Sequence, residues 1–360
     1  MLDSAGPWGT GPYKLVEGLA MANRRSDRVI LEANTAYWDP GRFPRVQRII
    51  FDNTLTPKEA LELVKSGEGR VDVVTELPPL ETLRVAQSPF AKVVKNRGTL
   101  GIVMGVFNMR QTGSRWTDIR LRQAANLAIN REHLIRYAAK GNGLIVPALL
   151  PARAFGYDPD LAPYPFDPGQ ARRLLNAAGY PEGIALTLIA PHDLAIQATV
   201  VSKMLEQGGF QVTLQVLDSL AYNQQTLLSH LEHPAEEQAW DIALTQWRDP
   251  INFPTMEFYT SFALNGPMDW VLEEPDLRQL SEQVARTRER AHQEALVRQM
   301  ERHTHAQAYF LFLYNPIQLF AVNKAVEFVP YVTTFLNFAE TTVTDQHWSV
   351  RKKAAVPSKQ

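Results

Sequence analysis

Apolar residues along this chain recur in two rhythms that take turns from one end to the other. Short alternating or continuous apolar runs predict strands at residues 12–17, 28–33, 46–51, 71–74, 101–108, 185–190, 212–217, 242–247 and 308–314. Between them, apolar positions three and four apart predict helices at 56–64, 170–178, 194–206, 220–230, 276–288 and 289–305. Thr56 followed by Pro57 and Glu59 is a helix start, and Gly179 and the pair Gly208 and Gly209 are stops. The stretch 117–132 reads as one packed helix, with Leu121, Ala124, Ala125, Ala128 and Ile129 on its inner face. Thr117 or Asp118 is its cap, and its arginines are expected off that face. Strands alternating with helices are the pattern of an α/β protein.

Two breaks interrupt the alternation. Gly141, Asn142 and Gly143 form a turn, and residues 147–168 then carry Pro147, Pro151, Pro159, Pro163, Pro165 and Pro168. So many prolines exclude long regular structure. The aromatics Phe155, Tyr157, Tyr164 and Phe166 make this an ordered surface crossing rather than a linker. Residues 318–338 supply further strands rich in Val, Phe and Thr, and 351–360 read as a tail.

Composition narrows the function classes. The 360 residues are 45% hydrophobic and 21% charged, enough for a large core, and the net charge of −1 offers no global attraction to nucleic acid or anionic membrane. The absence of cysteine excludes disulfides, thiolate metal sites and a lipid-modified cysteine within the chain. Neither a basic segment with an apolar core at the start nor a run of about 18 apolar residues is present.

Ligands of open α/β sheets sit beyond the carboxyl ends of strands, so the residues that follow each strand are the candidates. Asn108 follows the strand at 101–107; His192 and Asp193 follow the strand at 185–190; Trp247, Arg248, Asp249, Asn252 and Phe253 end and follow the strand at 242–247. Trp247 is either a stacking wall or a core residue. Arg248 can fork onto a carboxylate or phosphate and Asp249 can hold an ammonium, or the two neutralise each other. His192 reads as a ligand contact or a helix-start cap. The close pairs His230 with His233 and His303 with His305 lack a carboxylate at ligand spacing, so no metal or other cofactor is expected. Gly9-Thr10-Gly11-Pro12 is not a nucleotide loop, because Lys14 stands where a third glycine is needed. No Gly-x-Ser-x-Gly elbow or His-Glu-x-x-His pair occurs, which favours binding over bond chemistry.

Five landmarks occur in one order: Gly9-Thr10-Gly11-Pro12-Tyr13; Tyr37-Trp38; Phe107-Asn108 followed by Asp118-Ile119-Arg120-Leu121-Arg122-Gln123-Ala124 and Ala128-Ile129-Asn130-Arg131-Glu132; Phe166-Asp167-Pro168 before Ala178-Gly179-Tyr180; and Asp241-Ile242 before Trp247-Arg248-Asp249-Pro250. In this the chain resembles solute-binding protein family 5, the oligopeptide, dipeptide and nickel type that serves ABC importers. The resemblance implies a two-lobed periplasmic-binding-protein-like α/β fold of type II, N-terminally shortened because its Gly-Thr-Gly-Pro motif begins at Gly9. Residues 1–112 with 315–350 would form the first lobe and 113–314 the second. It implies capture of a peptide-like or other small polar solute in an interlobe cleft, delivery to an ABC permease, and a periplasmic or extracytoplasmic location. If the chain is complete, the missing leader implies the cytoplasm instead, and the competing reading is a shortened fold reused as an enzyme or ligand sensor. A shortened first lobe would also need self-association or a complementing chain near residues 9–17. The chain departs from dipeptide binders at two places: the Trp247 loop reaches Asp249-Pro250 early, and no arginine follows Ala190 closely. Those departures weigh against dipeptide specificity.

Overall fold

The computed structural model describes residues 10–18, 20–21, 24–226, 237–248, 270–271, 275–333 and 336–354. The chain divides into two compact units: residues 1–96, 318–331 and 335–360 form the first, and 97–317 with 332–334 the second.

The first unit is built from antiparallel sheets. Arg28–Ala33 lies between Tyr13–Glu17 and Arg48–Asp52, and Gln318–Asn323 lies between Val73–Val74 and Ala91–Asn96. The helix Pro57–Ser66 starts as the sequence requires: the Thr56 hydroxyl accepts from the Glu59 amide while the Glu59 carboxylate accepts from the Thr56 amide. Late in the chain, His347 Nε2 and Trp348 Nε1 meet one carboxylate oxygen of Asp72, at 3.1 and 3.2 Å.

The second unit is organised by a six-stranded sheet. Its order is Phe210–Leu217, Ile184–Pro191, Ile242–Arg248, Gly101–Phe107, Phe310–Pro316 and Gly143–Leu144. The first three strands run parallel, and Gly101–Phe107 runs antiparallel to both of its neighbours. All seven residues of Gly101–Phe107 are buried, as a central strand covered on both faces demands. Gly105 lets the sheet close there, because an added methyl would come within 2.9 Å of Ile242 and 3.0 Å of Leu311. This strand therefore belongs to the second unit, and the lobe boundary expected after residue 112 falls instead between Asn96 and Arg97.

The stretch expected as one helix is two. Ile119–Ala128 ends where Ile129 turns extended, and Arg131–Tyr137 follows with its own cap, Asn130, whose side chain accepts from the His133 amide. Asp118 caps the first helix by accepting from Arg120 N. Two of its arginines are not surface groups. Arg122 donates to the carbonyls of Trp116 and Gln307, and Arg131 donates to those of Phe312 and Tyr164; both are buried. Burial among carbonyls lowers the Arg131 guanidinium to about 10, which leaves it charged at neutral pH. Between them, Asn126 accepts from Phe312 N and donates to Phe310 O, tying the helix to the edge-ward strand.

The proline-rich crossing is held chiefly by the long helix Arg290–Ala306. Arg298 Nε donates to Tyr157 O at 3.2 Å, Tyr164 Oη donates to His305 O at 2.7 Å, and Arg302 pairs with the buried Asp158. Glu301 reaches back and accepts from the Leu149 and Leu150 amides at 3.0 and 3.1 Å. Phe155 is buried and Tyr157 and Tyr164 pack on the core, but Phe166 is exposed and holds nothing down.

Two outcomes follow for stability. Gly156 has φ of +82° and an added methyl would stand 2.0 Å from Cγ1 of the buried Val297. Gly156→Ala is expected to destabilise the chain by about 2 kcal/mol or more, and Val297→Ala to recover part of that loss, read by thermal melting. Burial pushes the Glu301 carboxyl up to about 7 from 4.5, so the folded chain keeps a proton that the unfolded chain releases. The associated stability is whole below pH 4.5 and is lost as pH rises through 7, a difference on the order of 3 kcal/mol. Urea titrations across this range should show that slope flattened in Glu301→Gln.

Candidate functional site

Register decides which candidates share a place. Ile242 pairs with Phe107 and Arg248 with Gly101, so the Ile242–Arg248 strand ends where Gly101–Phe107 begins. Ile184–Pro191 runs parallel to Ile242–Arg248, with Ile189 beside Ala243, and delivers its carboxyl end to the same edge. The strand Phe310–Pro316 also ends there, and Asn315 Nδ2 donates to Gly101 O at 2.6 Å. One end of the sheet therefore gathers His192, Trp247, Arg248, the loop from Gly98 to Gly101, and Asn315.

Asn108 lies at the other end, roughly 20 Å of strand away. It is fully buried, its Nδ2 donates to Trp240 O at 3.3 Å and its Oδ1 accepts from Gln111 N at 3.0 Å. The oxygen of that amide serves the turn towards the helix and its nitrogen ties the turn to the segment before the Ile242–Arg248 strand, so Asn108 does not share a place with the other candidates. Asp241 is its neighbour and has the same structural character. Its carboxylate accepts from Thr187 N at 2.8 Å, Trp116 Nε1 at 2.9 Å and Arg115 Nη2 at 3.2 Å.

At the end that gathers most of the candidates the side chains differ in how they are held. Trp247 is half-buried and packs on the core. Arg248 is exposed. His192 opens the short turn His192–Leu194 that leads into the helix Ala195–Gln207, and it is exposed beside Asp193. Asp249, Asn252 and Phe253 lie outside the described residues, as do His230 and His233.

Sequence reasoning missed two features of this end. Gln197 Nε2 donates to Tyr314 Oη at 3.1 Å, bridging helix and strand, and burial raises the Tyr314 phenol above its ordinary range. Arg153, from the proline-rich crossing, rests against Gly98. Nothing in local sequence marks either contact, because each joins segments far apart in the chain. Among the described residues no three His, Asp or Glu side chains gather as a metal site. None of the described helices is long and apolar enough to cross a membrane.

Comparison with known proteins gives the same architecture. The sequence profile of "Bacterial extracellular solute-binding proteins, family 5 Middle" matches residues 3–270. The glutathione-binding protein GsiB of Pectobacterium atrosepticum is 29% identical over 222 residues, which are 59% of this chain and 40% of that protein. The dipeptide-binding protein of Escherichia coli K12 is 26% identical over 184 residues, 51% of this chain and 32% of the relative. The chain thus spans well under half the length of these relatives. Among solved structures, DppA of Helicobacter pylori, in complex with the peptide STSA, superposes with a TM-score of 0.74 at 20% identity, over 93% of this chain and 63% of that one. NikA of Brucella suis, in complex with Fe(III)-EDTA, gives 0.75 at 20% identity, over 93% and 68%. With the profile covering most of its length and the fold shared, the chain belongs to the family 5 bacterial extracellular solute-binding proteins.

Proposed function

We propose that this chain is the ligand-capturing part of a substrate-binding component of an ABC importer, and that it takes up a peptide-like or other small polar solute. The observation that carries the reading is the meeting of His192, Trp247 and Arg248 at one end of the second unit's sheet, in a chain of this family. An aromatic wall beside a cation and an imidazole suits a ligand with a flat or apolar part and a charged end. In this reading Asp249, Asn252 and Phe253, which come soon after Arg248 in sequence, stay candidate ligand contacts. The partner that receives the ligand is a membrane permease, and the protein works outside the cytoplasm. Its work is binding and release, with no bond made or broken. Relatives named for glutathione and for dipeptides, and neighbours holding a peptide or a metal chelate, support a polar solute without choosing among them.

Native mass spectrometry of the purified chain, followed by denaturation, is the test. A small molecule that leaves only on denaturation is expected, with a mass in the range of short peptides or polar metabolites. Titration calorimetry with reduced glutathione, short peptides and metal chelates should then find a binder, and Trp247→Ala should weaken it by about tenfold or more. An empty chain that gives no heat with any of these contradicts the proposal.

A further inference from the structure

Asp72, His347 and Ser349 of the first unit form an unbroken hydrogen-bonded line. Asp72 Oδ1 lies 3.1 Å from His347 Nε2, and His347 Nδ1 lies 2.8 Å from Ser349 Oγ. The roles along the line follow from the partners. An ionised carboxylate only accepts, so Nε2 carries the hydrogen that points at Asp72. The Ser349 amide only donates, and it reaches Nδ1 at 3.4 Å, so Nδ1 is the accepting nitrogen. The Ser349 hydroxyl therefore gives its hydrogen to an imidazole that a carboxylate holds by the other nitrogen. Carboxylate to imidazole to hydroxyl is the order that makes a serine oxygen nucleophilic.

Each member of the line is braced. Asp72 Oδ1 also accepts from Asn323 Nδ2 and from Trp348 Nε1, each at 3.2 Å, and Asp72 O accepts from Asn323 N at 2.8 Å. His347 is 3% exposed, which shields its two ring bonds from competing water, whereas Ser349 is half-buried and within reach of solvent. Helix capping does not account for the hydroxyl. The helix Trp348–Ala354 begins with the Val350 and Arg351 amides both donating to His347 O at 3.0 Å. A capping hydroxyl accepts from such amides, but Ser349 Oγ donates to a ring.

We infer that Ser349 is a nucleophile toward small carboxylic esters, with His347 as its base and Asp72 as the residue that positions the ring. Oγ forms a bond to the acyl carbon while its proton passes to His347 Nδ1. The ester C–O bond then breaks, and the departing alcohol takes that proton. Water completes the cycle: its proton goes to Nδ1, its oxygen attacks the acyl carbon, and Ser349 Oγ leaves with the proton restored. The net change is ester and water to acid and alcohol. This adds a reaction in the first unit to a chain whose proposed ligand site, in the second, binds and releases. The two stand independently.

The test uses the full chain with p-nitrophenyl acetate at neutral pH. A burst of p-nitrophenolate is expected, with one acetyl group found on Ser349 by peptide mass spectrometry. Ser349→Ala, which removes only a hydroxyl, should abolish the burst, and His347→Gln should slow it by about a hundredfold. Asp72→Asn should slow it by about tenfold and Asp72→Glu recover part of the loss, which a merely structural carboxylate would not do. A second measurement does not depend on those variants folding. The chain has no cysteine, so Ser349→Cys and its exposed neighbour Val350→Cys each carry a single thiol. Iodoacetamide should alkylate the first about tenfold faster than the second. Acetylation that spares Ser349 and is unchanged in Ser349→Ala overturns the inference, as does equal alkylation of the two thiols. Either result would leave the proposed function standing.

Discussion

The geometry of the second unit depends on the carboxylate of Asp241. It stands nearly buried at the start of the Ile242–Arg248 strand and takes hydrogen bonds from the neighbouring strand, through Thr187 N, and from the turn before the first central helix, through Trp116 and Arg115. The backbone of the same residue accepts from Asn108 N at 3.0 Å and donates to Thr187 O at 2.9 Å. A buried carboxylate stripped of its donors costs several kcal/mol, so these three segments are held in one register. Fixing register at one end of a sheet fixes it at the other. The positions of Trp247, Arg248, Gly101 and His192 are therefore set from roughly 20 Å away.

That separation divides the labour along each strand. One end is buried, with polar groups consumed by the fold: Asn108, Asp241, Trp116, and the buried Arg122 that binds backbone carbonyls. The other end keeps polar groups exposed on a braced support, which is the condition for recognition with little reorganisation. The helix Arg290–Ala306 extends the bracing to the proline-rich crossing, from which Arg153 reaches the same end. A segment without regular structure can thus carry a well-placed charge.

Much of this fold was legible in the residues, for local reasons. Thr56, Pro57 and Glu59 announce a helix start because the capping groups are near in sequence, and the strand at 101–107 is apolar enough to need burial on both faces. Direction was not legible. A strand buried on both faces looks the same whichever way it runs, so nothing in the sequence showed that Asn108 lies beside Asp241, at the opposite end from Trp247. The break at Ile129 was hidden because that residue is buried in either conformation, and apolar spacing continues through it. Arg122 and Arg131 looked like surface charges because the carbonyls that satisfy them come from residues far along the chain. The contact of Arg153 with Gly98 left no trace in spacing at all, for the same reason.

The account's central claim is that ligand meets the sheet at the Trp247 end and not at the Asp241 end. Fluorine NMR of the chain with its seven tryptophans replaced by 5-fluorotryptophan addresses it directly, with Trp247→Phe and Trp116→Phe assigning the two signals that matter. On titration with reduced glutathione or a short peptide, the Trp247 signal should move saturably while that of the fully buried Trp116 stays in place. A saturable shift at Trp116 with Trp247 unmoved would put the ligand at the wrong end of the sheet and contradict the account.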